Sequence, residues 1–191
     1  MNQYDTMLPM IHTKASRTPE KDVIQCTIGK CALGSMLIAI SKRGICAITL
    51  GDDPKTLLRD LQDRFPKAEL IRNDQPQTFT GAITSLIEDP HTHLPLPLDI
   101  RGTAFQRKVW NALEKIPRGE TATYTDIARR IGKPKAIRAV AQACAANHLA
   151  VVIPCHRVVR SDGALSGYRW GVSRKAALLK SERTSKQNRL P

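Results

Sequence analysis

One cysteine of the chain has neighbours that could make it a nucleophile. Cys155 lies between Pro154 and His156 in the stretch VVIPCHRVVR, residues 151–160. A thiol attacks as its thiolate, and His156 or the positive end of a helix could lower its pKa from ~8.5. Consecutive residues of a strand face opposite sides, so His156 would reach Cys155 only across a turn or through a water molecule. Free cysteines are also often buried in cores, so the motif alone leaves a structural role open.

The other cysteines and histidines do not form a metal-site pattern. Cys26 and Cys31 make a single C-x4-C pair without a second pair, whereas a zinc site needs four N or S ligands. His91 and His93 lie in the proline-rich stretch DPHTHLPLPLD, residues 89–99, which is typical of a solvated loop. We therefore expect no metal and no cofactor. The five cysteines include no C-x-x-C pair, which favours free thiols in a reducing compartment.

No segment of the sequence predicts a membrane span or a secretory signal. No apolar run approaches the ~20 residues that cross a bilayer, and residues 1–20 lack the uninterrupted apolar stretch of a signal peptide. We therefore predict a cytoplasmic protein that does not bind membranes, with disordered tails at residues 1–20 and 184–191.

The positive charge of the chain is confined to its second half. Residues 1–100 contain 11 Lys and Arg against 12 Asp and Glu, a net charge of −1, whereas residues 101–191 contain 19 against 5, a net charge of +14. A solvated basic surface would explain solubility but not this asymmetry. A face that binds a polyanion explains both, and we favour nucleic acid as the partner.

The first half predicts a small sheet covered by helices. Residues 23–50 are apolar and β-branched, with glycine-containing breaks that indicate a meander of two or three strands. Asp53 and Pro54 then predict a helix start, and a second helix is expected over residues 78–88 with Phe79, Ile83 and Leu86 inward. We take residues 21–98 as an N-terminal α/β domain that ends in the proline-rich linker.

The second half predicts helices, two of which are spaced as a helix-turn-helix. Thr103 can cap a first helix, and later helices are expected over residues 125–131 and 135–147, joined by the turn KPK. The last of these is rich in alanine, and its long or polar side chains are Arg138, Gln142 and Asn147. Such a helix can approach the minor groove closely, with Arg138 as its one large probe. Tight packing of an ordinary helical hairpin is the alternative.

Two stretches carry a resemblance to a known family. IPCHRVVRSDGALSGYRWGVSRKAALL, residues 153–179, and GETATYTDIARRIGKPKAIRAVAQACAAN, residues 119–147, closely resemble the O6-alkylguanine-DNA alkyltransferases, in particular the C-terminal half of the bacterial Ada proteins. The resemblance implies an α/β fold of two domains, with an RNase H-like sheet followed by a winged helix-turn-helix domain over residues 99–183. It also implies a monomer that transfers an alkyl group irreversibly from O6 of guanine in double-stranded DNA to its own cysteine.

The resemblance also implies a role for individual residues. Cys155 would accept the alkyl group, His156 would act as its base through a water molecule, and Glu182 would orient that histidine. Tyr124 would assist the departing guanine, and Asn147 would tie the second helix of the helix-turn-helix to the cysteine loop. The base pocket would be lined by Cys144, Val158, Tyr168 and Arg169. DNA would be contacted by Lys135, Ala136, Arg138, Ala139, Gln142 and Arg157.

Two other functions fit part of the same sequence. A helix-turn-helix regulator or lesion-binding protein without alkyl transfer would explain the charge but not Cys155. A hydrolase with a Cys-His pair would explain Cys155, His156 and Glu182 but gives the basic half no function. Base-specific operator binding would support the former, and turnover of an ester or peptide would support the latter.

Overall fold

A four-stranded sheet forms the first part of the chain. The computed structural model describes residues 21–73, 77–88, 97–165 and 167–187. Strands β1 (Val23–Cys31), β2 (Gly34–Ser41) and β3 (Gly44–Gly51) form an antiparallel meander, as the sequence predicts. The short strand β4 (Glu69–Arg72) was not predicted, and it pairs in parallel with β1 to give the order β3-β2-β1-β4.

Two helices pack on the sheet at the places where the sequence predicts them. Helix α1 (Pro54–Arg64) begins where the Asp53 carboxylate accepts from the backbone N–H groups of Lys55 and Thr56, and it buries Leu57 and Leu61. Helix α2 (Gln77–Glu88) buries Ile83 and Ile87, whereas the predicted Leu86 is half-buried. The side chain of Phe79 lies outside the described part of the molecule.

The end of the predicted linker joins the free edge of β3. The backbone N–H of Ile45 donates to the carbonyl of Pro97 over 2.8 Å, and Asp99 N–H donates to the carbonyl of Ile45 over 2.9 Å. Residues 89–96 of the predicted linker, which include His91 and His93, lie outside the described residues.

The second half contains four helices and a two-stranded pair within the described residues. Helix α3 (Ala104–Glu114) starts at a capping box of Thr103 and Gln106, which confirms the predicted cap. It is followed by β5 (Ala122–Thr123), α4 (Tyr124–Arg130), α5 (Ile137–Ala145), β6 (Val158–Val159) and α6 (Val172–Gln187). Strands β5 and β6 pair in parallel.

The helix-turn-helix pair is present, but α5 is shorter than predicted. It begins at Ile137 rather than at Lys135, because Lys133 to Ala136 form a turn in which Ala136 N–H donates to the Lys133 carbonyl. It ends before Asn147, whose amide turns the chain into the following loop. The predicted tail from residue 184 is also corrected at its start, since α6 continues to Gln187 without an interrupting glycine or proline.

One hydrophobic core joins the two halves of the chain. The larger cluster of buried side chains contains Met36 and Ile48 of the sheet together with Trp110 of α3 and Val140 of α5. The loop after α5 also docks on the sheet, since Ile48 N–H donates to the carbonyl of His148 over 2.7 Å. No helix in the described ranges is both long and apolar enough to cross a bilayer.

Candidate active site and DNA-binding surface

Cys155 lies in a turn rather than in a strand. It begins a short 3-10 helix (Cys155–Arg157) that leads directly into β6, and its side chain is only 4 % exposed. The preceding loop contains Val151 at a φ of 67°, a left-handed conformation that is unfavourable for a β-branched residue. The surrounding contacts must therefore hold this loop in place.

Asn147 supplies those contacts and touches the thiol. Its side-chain amide donates to the carbonyl of Ile153 over 3.0 Å, to the carbonyl of Leu149 over 3.3 Å and to Cys155 Sγ over 3.2 Å. Its side-chain oxygen accepts from Leu149 N–H over 2.8 Å. The residue is fully buried, so it connects the end of α5 to the cysteine loop without reaching solvent.

His156 forms a buried pair with Glu182 of α6. The His156 Nε2 atom lies 2.9 Å from Glu182 Oε1, and both side chains are buried. Because a carboxylate can only accept, Nε2 carries the proton and Nδ1 has the free lone pair. His156 Nδ1 is buried and has no hydrogen-bond partner among the described residues. The site therefore presents an unshared basic nitrogen.

Arg157 completes this cluster instead of contacting DNA. Its Nη2 lies 2.7 Å from Glu182 Oε1, its Nε lies 3.0 Å from Glu182 Oε2, and its Nη1 donates to the Ile116 carbonyl over 2.7 Å. The side chain is buried, so the predicted surface contact with DNA is corrected. An arginine placed there neutralises the charge of the buried Glu182 carboxylate.

The protonation states of the cluster follow from burial and these hydrogen bonds. Burial raises the pKa of Cys155 to about 11, and the Asn147 hydrogen bond and the Lys175 charge oppose that rise. Burial also lowers the pKa of His156, against the opposing effect of Glu182. Burial disfavours the Glu182 anion, but hydrogen bonds from His156 and Arg157 outweigh it and lower the pKa to about 2. Near neutral pH the site thus holds a thiol, a neutral imidazole and a carboxylate.

Lys175 is a buried site residue that was not predicted. Its side chain is fully buried, and its Nζ donates to the carbonyl of Val158 over 2.5 Å. Burial lowers its pKa, and the negative charge of Cys155 and Cys144 in their ionised forms acts in the opposite direction. A sequence signal was available, because Lys175, Leu178, Leu179 and Glu182 share one face of a helix at spacings of three, four and seven residues. The charge of the Lys175 ammonium favours a thiolate at Cys155.

Tyr124 reaches the site through the pairing of β5 with β6. Ala122 pairs with Val158 and Thr123 with Val159, so the start of α4 lies beside the cysteine loop. Thr123 caps α4 in a capping box with Asp126, which sets the direction of the first helical turn. A β-carbon at Gly167 would lie 3.7 Å from the Tyr124 hydroxyl, so the tyrosine also faces the loop before α6.

The predicted base-pocket residues lie on three segments around Cys155. Cys144 is buried on α5, and burial raises its pKa to about 12. Tyr168 is buried with its ring centroid 6.4 Å from that of His156. The Val158 backbone adjoins the site through its contact with Lys175. Arg169 offers only its backbone, since its side chain is exposed and donates to the Ala145 carbonyl over 3.4 Å.

Trp170 is a further pocket residue that the sequence reasoning missed. Its ring packs edge to face against Tyr168 with centroids 5.1 Å apart, and it is 5 % exposed. The Tyr168 hydroxyl and the Trp170 indole N–H are buried without a hydrogen-bond partner in the described residues. Buried polar groups are usually paired, so these two donors are available to a water molecule or to a polar group of a ligand.

The exposed face of α5 and of the turn before it is basic. Lys135, Arg138 and Gln142 are exposed, whereas Ala136 and Ala139 are half-buried. The opposite face packs inward through Val140, Ala143 and Cys144, and the Trp110 indole donates to the Ala143 carbonyl over 2.9 Å. Small residues on the outer face leave its backbone accessible, with Arg138 projecting from it.

The described residues contain no group of three or more His, Cys, Asp and Glu side chains that could hold a metal ion. The five cysteines are free thiols.

Comparisons with known proteins agree on one family. Residues 104–184 match the model of the 6-O-methylguanine DNA methyltransferase DNA-binding domain. The bifunctional transcriptional activator and DNA repair enzyme Ada of Escherichia coli is 53% identical over 179 residues, which are 93% of this chain and 51% of that protein. This chain spans about half the length of the Ada proteins that it matches.

Shorter relatives are matched over most of their length. The methylated-DNA–protein-cysteine methyltransferase of Mycolicibacterium paratuberculosis is 40% identical, and the match covers 73% of this chain and 87% of that protein. The structure of Mycobacterium tuberculosis OGT in complex with DNA has a TM-score of 0.71 at 30% identity and covers 84% of this chain and 93% of that chain. It shares the mixed α/β architecture, with a small N-terminal sheet followed by helices. With a match of this extent, the chain belongs to the methylated-DNA–protein-cysteine methyltransferase family.

Proposed function

We propose that this protein repairs DNA by direct reversal, transferring an alkyl group from O6 of guanine in double-stranded DNA to Cys155. The observation that carries the proposal is the buried thiol held by Asn147 beside a neutral histidine whose Nδ1 is unshared. The names of the relatives, which include methylated-DNA–protein-cysteine methyltransferases, point to the same reaction.

The reaction needs a sulfur nucleophile and a base but no cofactor. His156 Nδ1 takes the thiol proton, and a water molecule carries it because no direct hydrogen bond joins Nδ1 to another described residue. The sulfur then attacks the alkyl carbon, forming a C–S bond as the bond from that carbon to O6 breaks. The Glu182 carboxylate, which Arg157 holds in place, pairs with the resulting imidazolium. The thioether product is a poor leaving group, so each molecule acts once.

We propose that Tyr124 assists the leaving group. The electron pair of the broken bond remains on guanine, which becomes neutral when it gains a proton. The Tyr124 hydroxyl lies across from the loop that carries Tyr168, on the side of the site formed by β5 and α4. We infer that it donates this proton and regains one from the His156 side of the site, which balances the reaction.

The exposed face of α5 is the proposed DNA contact. A target base lies inside the stack, so it must be flipped out, which costs a few kcal/mol. Lys135 and Gln142 would contact the backbone while Ala136 and Ala139 allow close approach to the minor groove. Arg138 would enter the duplex and fill the space that the base leaves.

Finer features of the fold are inferred from the family resemblance. We propose that the N-terminal sheet is RNase H-like and that the pairing of β5 with β6 belongs to a winged helix-turn-helix domain. We also propose that the boundary between the two domains lies between residues 98 and 99, that the protein is a monomer and that it is located in the cytoplasm.

The proposed function is tested by the mass of the intact protein after mixing with a duplex that contains one O6-methylguanine. We expect the mass to rise by one methylene group, located on Cys155 by peptide mapping, because the methyl group replaces the thiol proton. Repaired guanine should stop accumulating at one equivalent of protein. Continued repair beyond that amount would contradict the single-use mechanism.

Replacing Tyr124 with phenylalanine should slow alkyl transfer by about tenfold while DNA affinity changes by less than about twofold. Only the hydroxyl is removed, so the loss belongs to the step in which charge builds on guanine. The measurement is the single-turnover rate constant at saturating protein, with affinity measured separately on unmodified duplex. An unchanged rate constant would remove Tyr124 from the mechanism.

A further inference from the structure

A short segment between two glycines forms one wall of the site. We call residues 167–171 the flap; Gly167 and Gly171 have φ angles of 53° and 99°. Both angles lie in the left-handed region that glycine adopts without strain, so the ends of the flap impose little stiffness. Its Tyr168 and Trp170 side chains are nevertheless buried against each other and beside His156.

Arg174 contacts the flap and the N-terminal sheet at the same time. Its Nη1 donates to the Trp170 carbonyl over 3.0 Å, at the C-terminal end of the flap. Its Nε donates to the Leu33 carbonyl over 2.7 Å, in the turn between β1 and β2, and its Nη2 lies 2.5 Å from Asp52 Oδ1 after β3. The three nitrogens of one guanidinium thus have three acceptors, two of them in segments that directly adjoin the strands of the sheet.

The burial of Arg174 distinguishes its contacts from those of an ordinary surface ion pair. The arginine side chain is only 14 % exposed, whereas Asp52 is 91 % exposed. A β-carbon at Gly34 would lie 3.1 Å from Arg174 Nη2, so the glycine leaves room for the guanidinium against the turn. Two of the acceptors are backbone carbonyls, and only the planar fork of an arginine can reach all three.

We propose that Arg174 is a positioning residue through which the N-terminal sheet holds the flap against the reacting groups. The proposal rests on the proposed function, since it concerns the wall against which the alkylated base would lie. Arg174 also precedes Lys175, so the same turn of α6 fixes the flap and the buried ammonium. The sheet supplies no reacting group, but through Arg174 it affects the rate of the reaction.

The test is the substitution Arg174→Met, which keeps the length of the side chain and removes every donor. We expect the single-turnover rate constant on alkylated duplex at saturating protein to fall by about tenfold, since small displacements of positioning groups cost this much or more. DNA affinity should stay within about twofold because the hydrogen bonds of the Arg174 guanidinium go to Leu33, Trp170 and Asp52 and not to α5. Hydrogen–deuterium exchange should rise in the peptide that covers residues 167–171 and not in the core strands.

The control is Arg183→Met, the same change at an exposed position of the same helix. It should leave both the rate constant and the exchange of the flap as in the wild type. If Arg174→Met does not fold, Asp52→Lys is used instead. Reversing this exposed charge removes the ion pair with the Arg174 guanidinium, and we expect it to slow alkyl transfer by about threefold.

The outcomes separate this proposal from the proposed function. A wild-type protein that transfers no alkyl group would contradict the function, whatever the variants do. A wild type that transfers, with Arg174→Met or Asp52→Lys equally fast per folded molecule, would overturn the role of Arg174. A slower variant whose flap exchanges as slowly as the wild type would overturn it as well.

Discussion

Replacing Cys155 with alanine should abolish alkyl transfer and leave DNA affinity within about twofold of the wild type. The sulfur of Cys155 is the atom that forms the new bond, so its removal removes the proposed acceptor. The side chain is buried away from the exposed face of α5, so its loss does not touch the DNA contact. The protein should still fold, because the Asn147 amide keeps the Ile153 and Leu149 carbonyls as acceptors.

Cys144 provides the matched control for this experiment. It is a second buried thiol beside the same pocket, and burial raises its pKa to about 12, compared with about 11 for Cys155. The Asn147 side-chain amide donates to the thiol of Cys155, whereas Cys144 accepts from the Asn147 backbone N–H through its carbonyl. Cys144→Ala should therefore still take up one alkyl group per molecule. Alkylation of Cys144 in the Cys155→Ala variant, detected by peptide mapping, would overturn the assignment of the acceptor.

The same pair of variants tests the alternative of a Cys-His hydrolase. That enzyme would turn over an ester or peptide many times, and it would need no DNA. The buried thiol between Asn147 and the flap accords better with a single extrahelical base than with a peptide chain. Turnover of such a substrate by the wild type, lost in Cys155→Ala, would restore the hydrolase interpretation.

Local signals in the sequence predicted the helix starts well. Asp53 and Thr103 cap their helices as expected, because a cap depends on a few adjacent residues. Strand β4 was missed because only four residues form it and its partner β1 is distant in the chain. The pattern of its side chains, three of which are exposed, gives little indication of a strand.

The charged residues of the site were harder to place from the sequence. The family resemblance assigned Arg157 to DNA, but in the structure Glu182 and the Ile116 carbonyl bind its guanidinium and the side chain is buried. Lys175 was missed because a lysine is usually exposed. The contact of His156 with Glu182 spans 26 residues, and neither spacing nor composition reports a contact across that distance. The family resemblance supplied this pair, and the residues alone left the role of Cys155 open.

The roles of Arg138 and Lys135 on the DNA-binding surface can be separated by experiment. Both side chains are exposed, but Arg138 projects from the second position of α5 and Lys135 lies in the preceding turn. If a side chain only contacts phosphate, its removal weakens binding to all duplexes about equally. It also lowers the slope of log affinity against log salt concentration by ~1. A side chain that fills the stack acts on the flipping step, which a free base does not need.

Arg138→Ala should slow repair of a matched duplex at saturating protein by roughly 100-fold, because losing a few kcal/mol of support for base flipping costs about a factor of ten per 1.4 kcal/mol. Transfer from the free base O6-methylguanine should change by less than about threefold, since that substrate is already unstacked. Lys135→Ala is the matched control: its duplex rate should recover fully once the protein saturates the DNA. An equal loss on duplex and free base for Arg138→Ala, or full recovery of its duplex rate at saturation, would show that Arg138 does not enter the stack.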